Sequence, residues 1–112
     1  MAAVFETSYV TNVGATEATL YVAPTGLTGK HLIVSLVATN IFGSALPITV
    51  KLIRGVDEIF LAYNKRILAN DTVDILINNS KIMVFEYDEI RVSAPVNNAF
   101  SVIMTVVEEV QT

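Results

Sequence analysis

The sequence of 112 residues contains no cysteine and no tryptophan, and it has only one histidine and three prolines. Without cysteine, disulfide bonds and thiolate metal sites are excluded. A catalytic relay of serine, histidine and aspartate would have to use His31. A chain of this length forms one domain, and here packing and backbone hydrogen bonds must stabilise it without covalent links.

Charge is scarce as well. Charged residues make up 16% of the chain, against about 25% in typical soluble proteins. Eleven acidic and seven basic residues give a net charge of −4, and only Lys65 and Arg66 are adjacent basic residues. Because binding to phosphate backbones needs a basic stripe, we expect no nucleic-acid partner.

The sequence also lacks long hydrophobic runs. No apolar stretch approaches the roughly 20 residues of a membrane helix, so we expect no membrane partner. The first ten residues lack the basic and apolar segments of a signal peptide. Nevertheless, 53% of the residues are hydrophobic, which exceeds the usual share of about 45–50%. This surplus must be buried by contacts other than lipid.

The dominant pattern is strict alternation, which is typical of strands and incompatible with helical spacing. Over residues 32–39 it predicts that Leu32, Val34, Leu36 and Ala38 face the core. In two further strands it predicts that the core-facing residues are Leu46, Ile48, Val50, Leu52, Val102, Met104 and Val106.

Turn residues separate the alternating runs at intervals of about 8–12 residues, which indicates a sandwich or a barrel. Arg54 to Asp57 is predicted to be a hairpin turn. The predicted strands are Val4–Val10, Thr16–Val22, His31–Asn40, Leu46–Arg54, Glu58–Tyr63, Thr72–Ile77, Lys81–Phe85, Glu89–Ala94 and Phe100–Val110. We therefore predict one all-β domain, an antiparallel jelly-roll-like sandwich of eight or nine strands. Residues 1–12, before Gly14, are candidates for an N-terminal arm.

No motif in the sequence supports catalysis. His31 begins a strand, and no nucleophile-elbow motif surrounds Ser35 or Ser93. The segment Gly26–Lys30 departs from the phosphate-loop pattern, and the acidic residues of 86–89 and 71–74 lack the spacing of a calcium loop. We expect a protein that is not an enzyme, with no catalytic, cofactor-binding or metal-binding residues.

Several strands carry apolar residues on both faces, which one isolated sandwich does not require. We predict that this outer surplus packs against another subunit; the alternatives are ordinary scattered surface residues and a closed barrel whose outer side is partly apolar. The predicted interface residues are Phe5, Tyr9, Ile33, Val37, Ile53, Ile103 and Val107.

A Tyr-x-x-Pro-x-Gly turn at Tyr21–Gly26 precedes the apolar strands His31–Asn40 and Leu46–Leu52. A short strand, Asp88–Ser93, and a Val-rich strand, Val102–Val110, follow. With these motifs, residues 20–110 resemble small β-sandwich virion proteins of tailed bacteriophages. The motifs are generic for β proteins, and the sequence departs from the pattern at Ala38–Asn40 and lacks a Gly beside Asp88.

The resemblance implies a virion structural protein, assembled in the host cytoplasm. Its expected role is that of a capsid decoration or cement protein that stabilises the shell as an oligomer, for example a trimer. The implied partners are copies of itself and the major capsid protein or other virion proteins. The alternatives are a tail, neck or fibre-associated subunit, and a module that binds carbohydrate or a receptor.

We expect size-exclusion chromatography with light scattering to show an oligomer or an aggregation-prone monomer, because the apolar surplus favours association. A monomer that stays soluble at high concentration would contradict the predicted interface.

Overall fold

The computed structural model describes residues 2–24, 30–76 and 80–110. In these ranges it contains nine strands. They are β1 (Ala2–Val13), β2 (Ala18–Val22), β3 (Lys30–Asn40), β4 (Leu46–Arg54), β5 (Asp57–Ile67), β6 (Thr72–Asp74), β7 (Ile82–Val84), β8 (Glu89–Ser93) and β9 (Phe100–Val110). The predicted all-β sandwich is confirmed. Gly26 and Ile77, which belong to a predicted turn and a predicted strand, lie outside the described residues.

Two antiparallel sheets make up the sandwich. Sheet A has the order β1-β9-β3-β6, with β7 also paired to β3, and sheet B has the order β2-β8-β4-β5. Four sets of antiparallel strand pairs correspond to one long hairpin. They are β1–β9, β2–β8, β3 with β6 and β7, and β4–β5. Rolling up this hairpin brings β9 beside β3 and β8 beside β4. The result is a jelly roll whose sixth strand position is divided between β6 and β7.

The turn at the tip of this hairpin forms as predicted. Arg54 pairs with Asp57, which leaves a two-residue loop. Gly55 has a φ of 63°, a left-handed value that glycine adopts without steric cost.

The core fills the space between the sheets, and in two strands the predicted alternation is confirmed. In β4, Ile48, Val50 and Leu52 are buried. In β9, Val102, Met104 and Val106 are buried, while Ile103 between them is exposed. Each inward side chain removes apolar surface from water, and this burial stabilises the fold.

In β3 the prediction of which side chains face the core is only half correct. Leu36 and Ala38 are buried as predicted, but Ile33 is also completely buried, whereas Leu32 and Val34 are only half-buried. The cause is a β-bulge: Ile33 pairs with Val106 and Ser35 pairs with Thr105, so that Val34 is the extra residue. A bulge changes the alternation by one residue. Ile33 therefore belongs to the core, and its prediction as an interface residue is wrong.

Several strands begin or end at residues other than those predicted, and at the ends of β5 and β6 the hydrogen bonds show the cause. β5 continues past Tyr63 because Asn64 adopts a φ of 47° in a bulge. The hydroxyl of Thr49 on the neighbouring strand accepts the backbone N–H of Asn64 at 3.2 Å. β6 is shorter than predicted, since the Asp74 carboxylate accepts the N–H of Leu76 at 3.0 Å and turns the chain.

The segment for which we predict a possible arm lies, from residue 2, in β1. β1 pairs with β9 of the same chain from Ala2 to Val13. At Gly14 the chain leaves sheet A, and a Cβ atom there would come within 2.7 Å of the Asn97 side chain. The close approach of Asn97 explains why glycine occupies this position.

We expect Ile33→Ala to lower the free energy of unfolding by about 2–5 kcal/mol, because it leaves a cavity in the core. Val37→Ala, the matched change at an outward position of the same strand, is expected to cost about 1 kcal/mol or less. Urea denaturation followed by tyrosine fluorescence measures both values. Equal losses would contradict the placement of Ile33 in the core.

Candidate interaction surface

The outer face of sheet A is formed by side chains that the strand register aligns in rows. In one row, Phe5 on β1 lies opposite Val107 on β9. Val107 in turn lies opposite Leu32 on β3, and Leu32 lies opposite Met83 on β7. Phe5 is 67% exposed and Met83 is 42% exposed.

A second apolar row crosses the same face. Tyr9 on β1 lies opposite Ile103 on β9, which lies opposite Val37 on β3. Tyr9 is 68% exposed and Ile103 is 46% exposed. Between the two apolar rows runs a row of small hydroxyl side chains, namely Thr7, Thr105 and Ser35.

We call this surface the apolar face and define it by Phe5, Tyr9, Leu32, Val37, Met83, Ile103 and Val107. In the part of the chain that the structure describes, the charged residue aligned with these rows is Asp74, opposite Val37 at the β6 margin. A contiguous and nearly uncharged surface of this kind is typical of interaction sites.

The outer face of sheet B is different, because it carries a network of ion pairs. Lys51 lies 2.7 Å from both Glu17 and Glu58. Arg91 lies 3.2 Å from Glu17 and 2.9 Å from Glu89. The hydrogen bond from Lys51 lowers the pKa of the Glu17 carboxyl group. Such exposed pairs contribute little to stability, but covering them would cost their hydration.

The structure brings together five of the seven predicted interface residues, Phe5, Tyr9, Val37, Ile103 and Val107, on the apolar face. Ile53 is separated from them: it lies in sheet B, aligned with Glu58 and Glu89 of the charged face. Ile33 is in the core, as described above. Leu32 and Met83 were missed. The alternation predicts Leu32 in the core because it gives no sign of the bulge at Val34, and Met83 reaches the face through the pairing of β7 with β3.

A cluster beside the apolar face connects the two sheets. The Asp88 carboxylate is buried and accepts hydrogen bonds from Nη2 and Nε of Arg54, at 2.8 and 3.1 Å, and from the backbone N–H of Phe85. Nη2 of Arg54 also donates to the backbone oxygen of Met83 at 3.1 Å. The bond to Asp88 raises the pKa of Arg54. The pair therefore joins the end of β4 to β7 and to the loop before β8.

The same cluster presents aromatic side chains to solvent. The Arg54 guanidinium lies 4.5 Å from the ring centroid of Phe85, a cation–π contact. Tyr87 has a φ of 71°, which is unusual for a bulky residue, and it is 66% exposed. The backbone N–H of Tyr87 donates to Ala23, and that of Asp88 donates to Phe85. These bonds hold Phe85 and Tyr87 in fixed positions next to Met83.

The remaining polar candidates have structural partners. His31 is buried on the inner side of β3, with Nε2 at 3.4 Å from Glu108. The carboxylate of Asp71 accepts the N–H of Thr72, and Glu89 pairs with Arg91. Among the described residues, no three acidic or histidine side chains form a group that could hold a metal ion. The described chain also contains no helix long and apolar enough to cross a membrane.

Comparisons with known proteins give a likeness of fold. The sequence matches no protein-family model and no curated protein sequence. A structure described as Bacillus endospore appendages, a family of disulfide-linked pili, superposes with a TM-score of 0.57. It is 14% identical, and the match covers 97% of this chain and 89% of that chain. The chain thus shares the fold of a pilus subunit.

A chain from the structure of infectious bursal disease virus, strain Gx, gives a TM-score of 0.44 at 14% identity. The match covers 95% of this chain and 32% of that chain. This second likeness is too weak to carry an argument. Neither structure is described as a protein of a tailed bacteriophage.

We expect Asp88→Asn to lower the free energy of unfolding by about 2 kcal/mol, less than the roughly 3–5 kcal/mol of a fully buried pair, because Arg54 stays partly hydrated. The matched change Glu58→Gln in the exposed network is expected to cost about 1 kcal/mol or less. Chemical denaturation measures both. A loss for Glu58→Gln as large as that for Asp88→Asn would contradict the structural role of the cluster.

Proposed function

We propose that this protein is a non-enzymatic structural subunit of a virion or a surface appendage, and that it assembles through the apolar face of sheet A. The observation that carries the proposal is the contrast between the two outer faces. The two apolar rows of sheet A hold no charged residue except Asp74 at their margin, and the next row in the register is Ala3, Glu109 and Lys30. The outer face of sheet B carries five charged side chains in one network, with the exposed Phe60 opposite Lys51. A free monomer gains nothing from exposing Phe5 and Tyr9 side by side with Ile103 and Val107.

The energetics favour association through the apolar face. Covering apolar surface contributes about 25 cal/mol per Å², before the costs of association. Large aromatic side chains are enriched among the residues that dominate binding energy at interfaces. Phe5 and Tyr9 are such residues, and they are held on regular backbone opposite Val107 and Ile103.

The fold agrees with an assembly role without requiring it, since jelly rolls occur in capsid proteins and in lectins alike. The pilus subunit that shares the fold is described as disulfide-linked. This chain has no cysteine, so its own contacts in an assembly do not include disulfide bonds. Many copies, each bound weakly, would add substantial stability to a shell or fibre.

Within this class we propose the role of a phage capsid decoration or cement protein, bound to copies of itself and to capsid subunits. The support for this finer assignment is the sequence resemblance of residues 20–110. The protein would act passively, by covering apolar surface between neighbouring shell subunits.

We expect the double substitution Val37→Lys and Ile103→Lys to raise the dissociation constant of the assembly at least about tenfold, because it places two charges in the apolar face. Circular dichroism should show that the fold is retained, since both side chains point outward, with a lowered melting temperature because the two lysines lie directly opposite each other. Ile53→Lys, on the charged face, is the matched control and is expected to leave assembly unchanged. An assembly that resists the double substitution would contradict the proposal.

Immunogold electron microscopy, with antibody against the chain, can then locate the protein in particles from its source. Regular labelling of heads is expected for a decoration protein. Labelling of tails or fibres would favour the alternative subunit, and labelling of filaments on cells would favour an appendage. Strong, specific hits on a glycan array, with no particle association, would favour a carbohydrate-binding module instead.

A further inference from the structure

The free edges of the two sheets differ in how well they are protected against pairing with another strand. Natural proteins protect such edges with short strands, bulges, prolines or charges. β2 has five residues and a bulge. β6 and β7 have three residues each. β5 is long, but it is interrupted by bulges and carries Lys65 and Arg66 near its end.

β1 differs from these edges. It has twelve residues and pairs on one side with β9, in unbroken register from Ala2 to Val10. In the sheet order it is a terminal strand, and no other strand of the described residues pairs with its second side. It contains no proline and one charged residue, Glu6. A long and regular edge of this kind is a template for strand addition.

We propose that two copies of the chain join through antiparallel pairing of their β1 edges about a two-fold axis at Thr7. The inference rests on the proposed function, because it specifies how two structural subunits meet. Pairing of this kind is isologous, so one surface serves both partners. It would unite two copies of sheet A into one continuous sheet.

The proposed register follows from the side chains of β1. With Thr7 opposite its own copy, Phe5 of each copy lies opposite Tyr9 of the other, on the outer face. Cross-strand aromatic pairs of this kind stabilise sheets. A shift of one residue is excluded, because it would put the outward row of one copy opposite the inward row of the other.

The single charge of β1 supports the same register. With Thr7 at the axis, Glu6 lies opposite Ser8 of the second copy, whose hydroxyl group is able to donate to the carboxylate. The register with Glu6 opposite its own copy would place like charges directly together, which is destabilising. The proposed register also pairs residues 4–10 of each copy, the stretch on both sides of Thr7 in which the pairing of β1 with β9 is regular.

Edge pairing leaves the apolar faces of both copies on the same side of the joined sheet. The rows of Phe5 and Tyr9 then meet at the junction, and the apolar face becomes twice as wide. The dimer is therefore a building block whose apolar face stays available for further subunits. Face-to-face stacking of two copies would instead cover that face.

Cysteine cross-linking of the full chain separates these two arrangements, and the absence of native cysteine makes each single-cysteine variant unambiguous. Thr7→Cys places two thiols at the axis, within the distance that a disulfide spans. We expect it to form covalent dimers on mild oxidation. Thr105→Cys, in the same row but at the centre of the face, and Thr49→Cys, on sheet B, are the controls and should form no covalent dimers.

Cross-linking of Thr105→Cys without cross-linking of Thr7→Cys would overturn the edge pairing, while leaving assembly through the apolar face intact. The outcome that would contradict the proposed function itself is different. In that case light scattering would show a monomer at all concentrations.

Two variants with opposite charges at residue 7 test the two-fold axis directly. Thr7→Lys and Thr7→Glu, each alone, place like charges opposite each other and are expected to raise the dimer dissociation constant about tenfold. Mixing the two variants should restore dimers, because Lys then faces Glu. Light scattering of the single variants and of the mixture provides the readout, and a mixture no better associated than the single variants would overturn the proposed axis.

Discussion

The packing of two sheets against each other is the constraint on which the rest of this structure depends. No disulfide assists it, because the chain lacks cysteine. The inward side chains of β3, β4, β8 and β9 are completely or almost completely buried, with Ile33, Ile48, Ile90 and Met104 among the largest. Because backbone alternation links each inward residue to an outward neighbour, filling the core also decides what each outer face displays.

The two outer faces therefore display different kinds of side chain. Sheet B displays Lys51 and Arg91 between carboxylates, and this surface remains hydrated. Sheet A displays aromatic, aliphatic and hydroxyl side chains in register. A molecule with one wet face and one apolar face has a defined orientation in an assembly. That asymmetry, rather than the overall apolar content, is the ground on which we propose a direction of association.

The Arg54–Asp88 cluster adds rigidity where sheet pairing is weakest. β7 is held by only three register pairs with β3. The hydrogen bond from Arg54 to the Met83 carbonyl group ties this short strand to sheet B. Met83 is thereby fixed at the margin of the apolar face. The ion pair between β4 and the loop before β8 thus helps to position a residue at the margin of the apolar face.

Much of the fold could be predicted from the sequence, since alternation and turn residues act locally. The strands β4 and β9, their inward residues and the turn at Gly55 required no knowledge of the partner strands. The apolar excess also predicted five residues of the apolar face. The prediction failed at Ile33. Leu32, Ile33 and Val34 are all apolar, so the sequence indicates a strand there but does not show which of the three side chains faces the core.

Tertiary structure decided the rest. The bulge at Val34 exists because β3 must match β9, and the separation of Ile53 from the other candidates follows from its assignment to sheet B. The contact between Arg54 and Asp88 joins residues 34 positions apart. A sequence specifies local backbone preference and the amount of apolar surface to be buried. Which side chains meet across a sheet depends on the register between distant strands, and register is set only when both sheets pack.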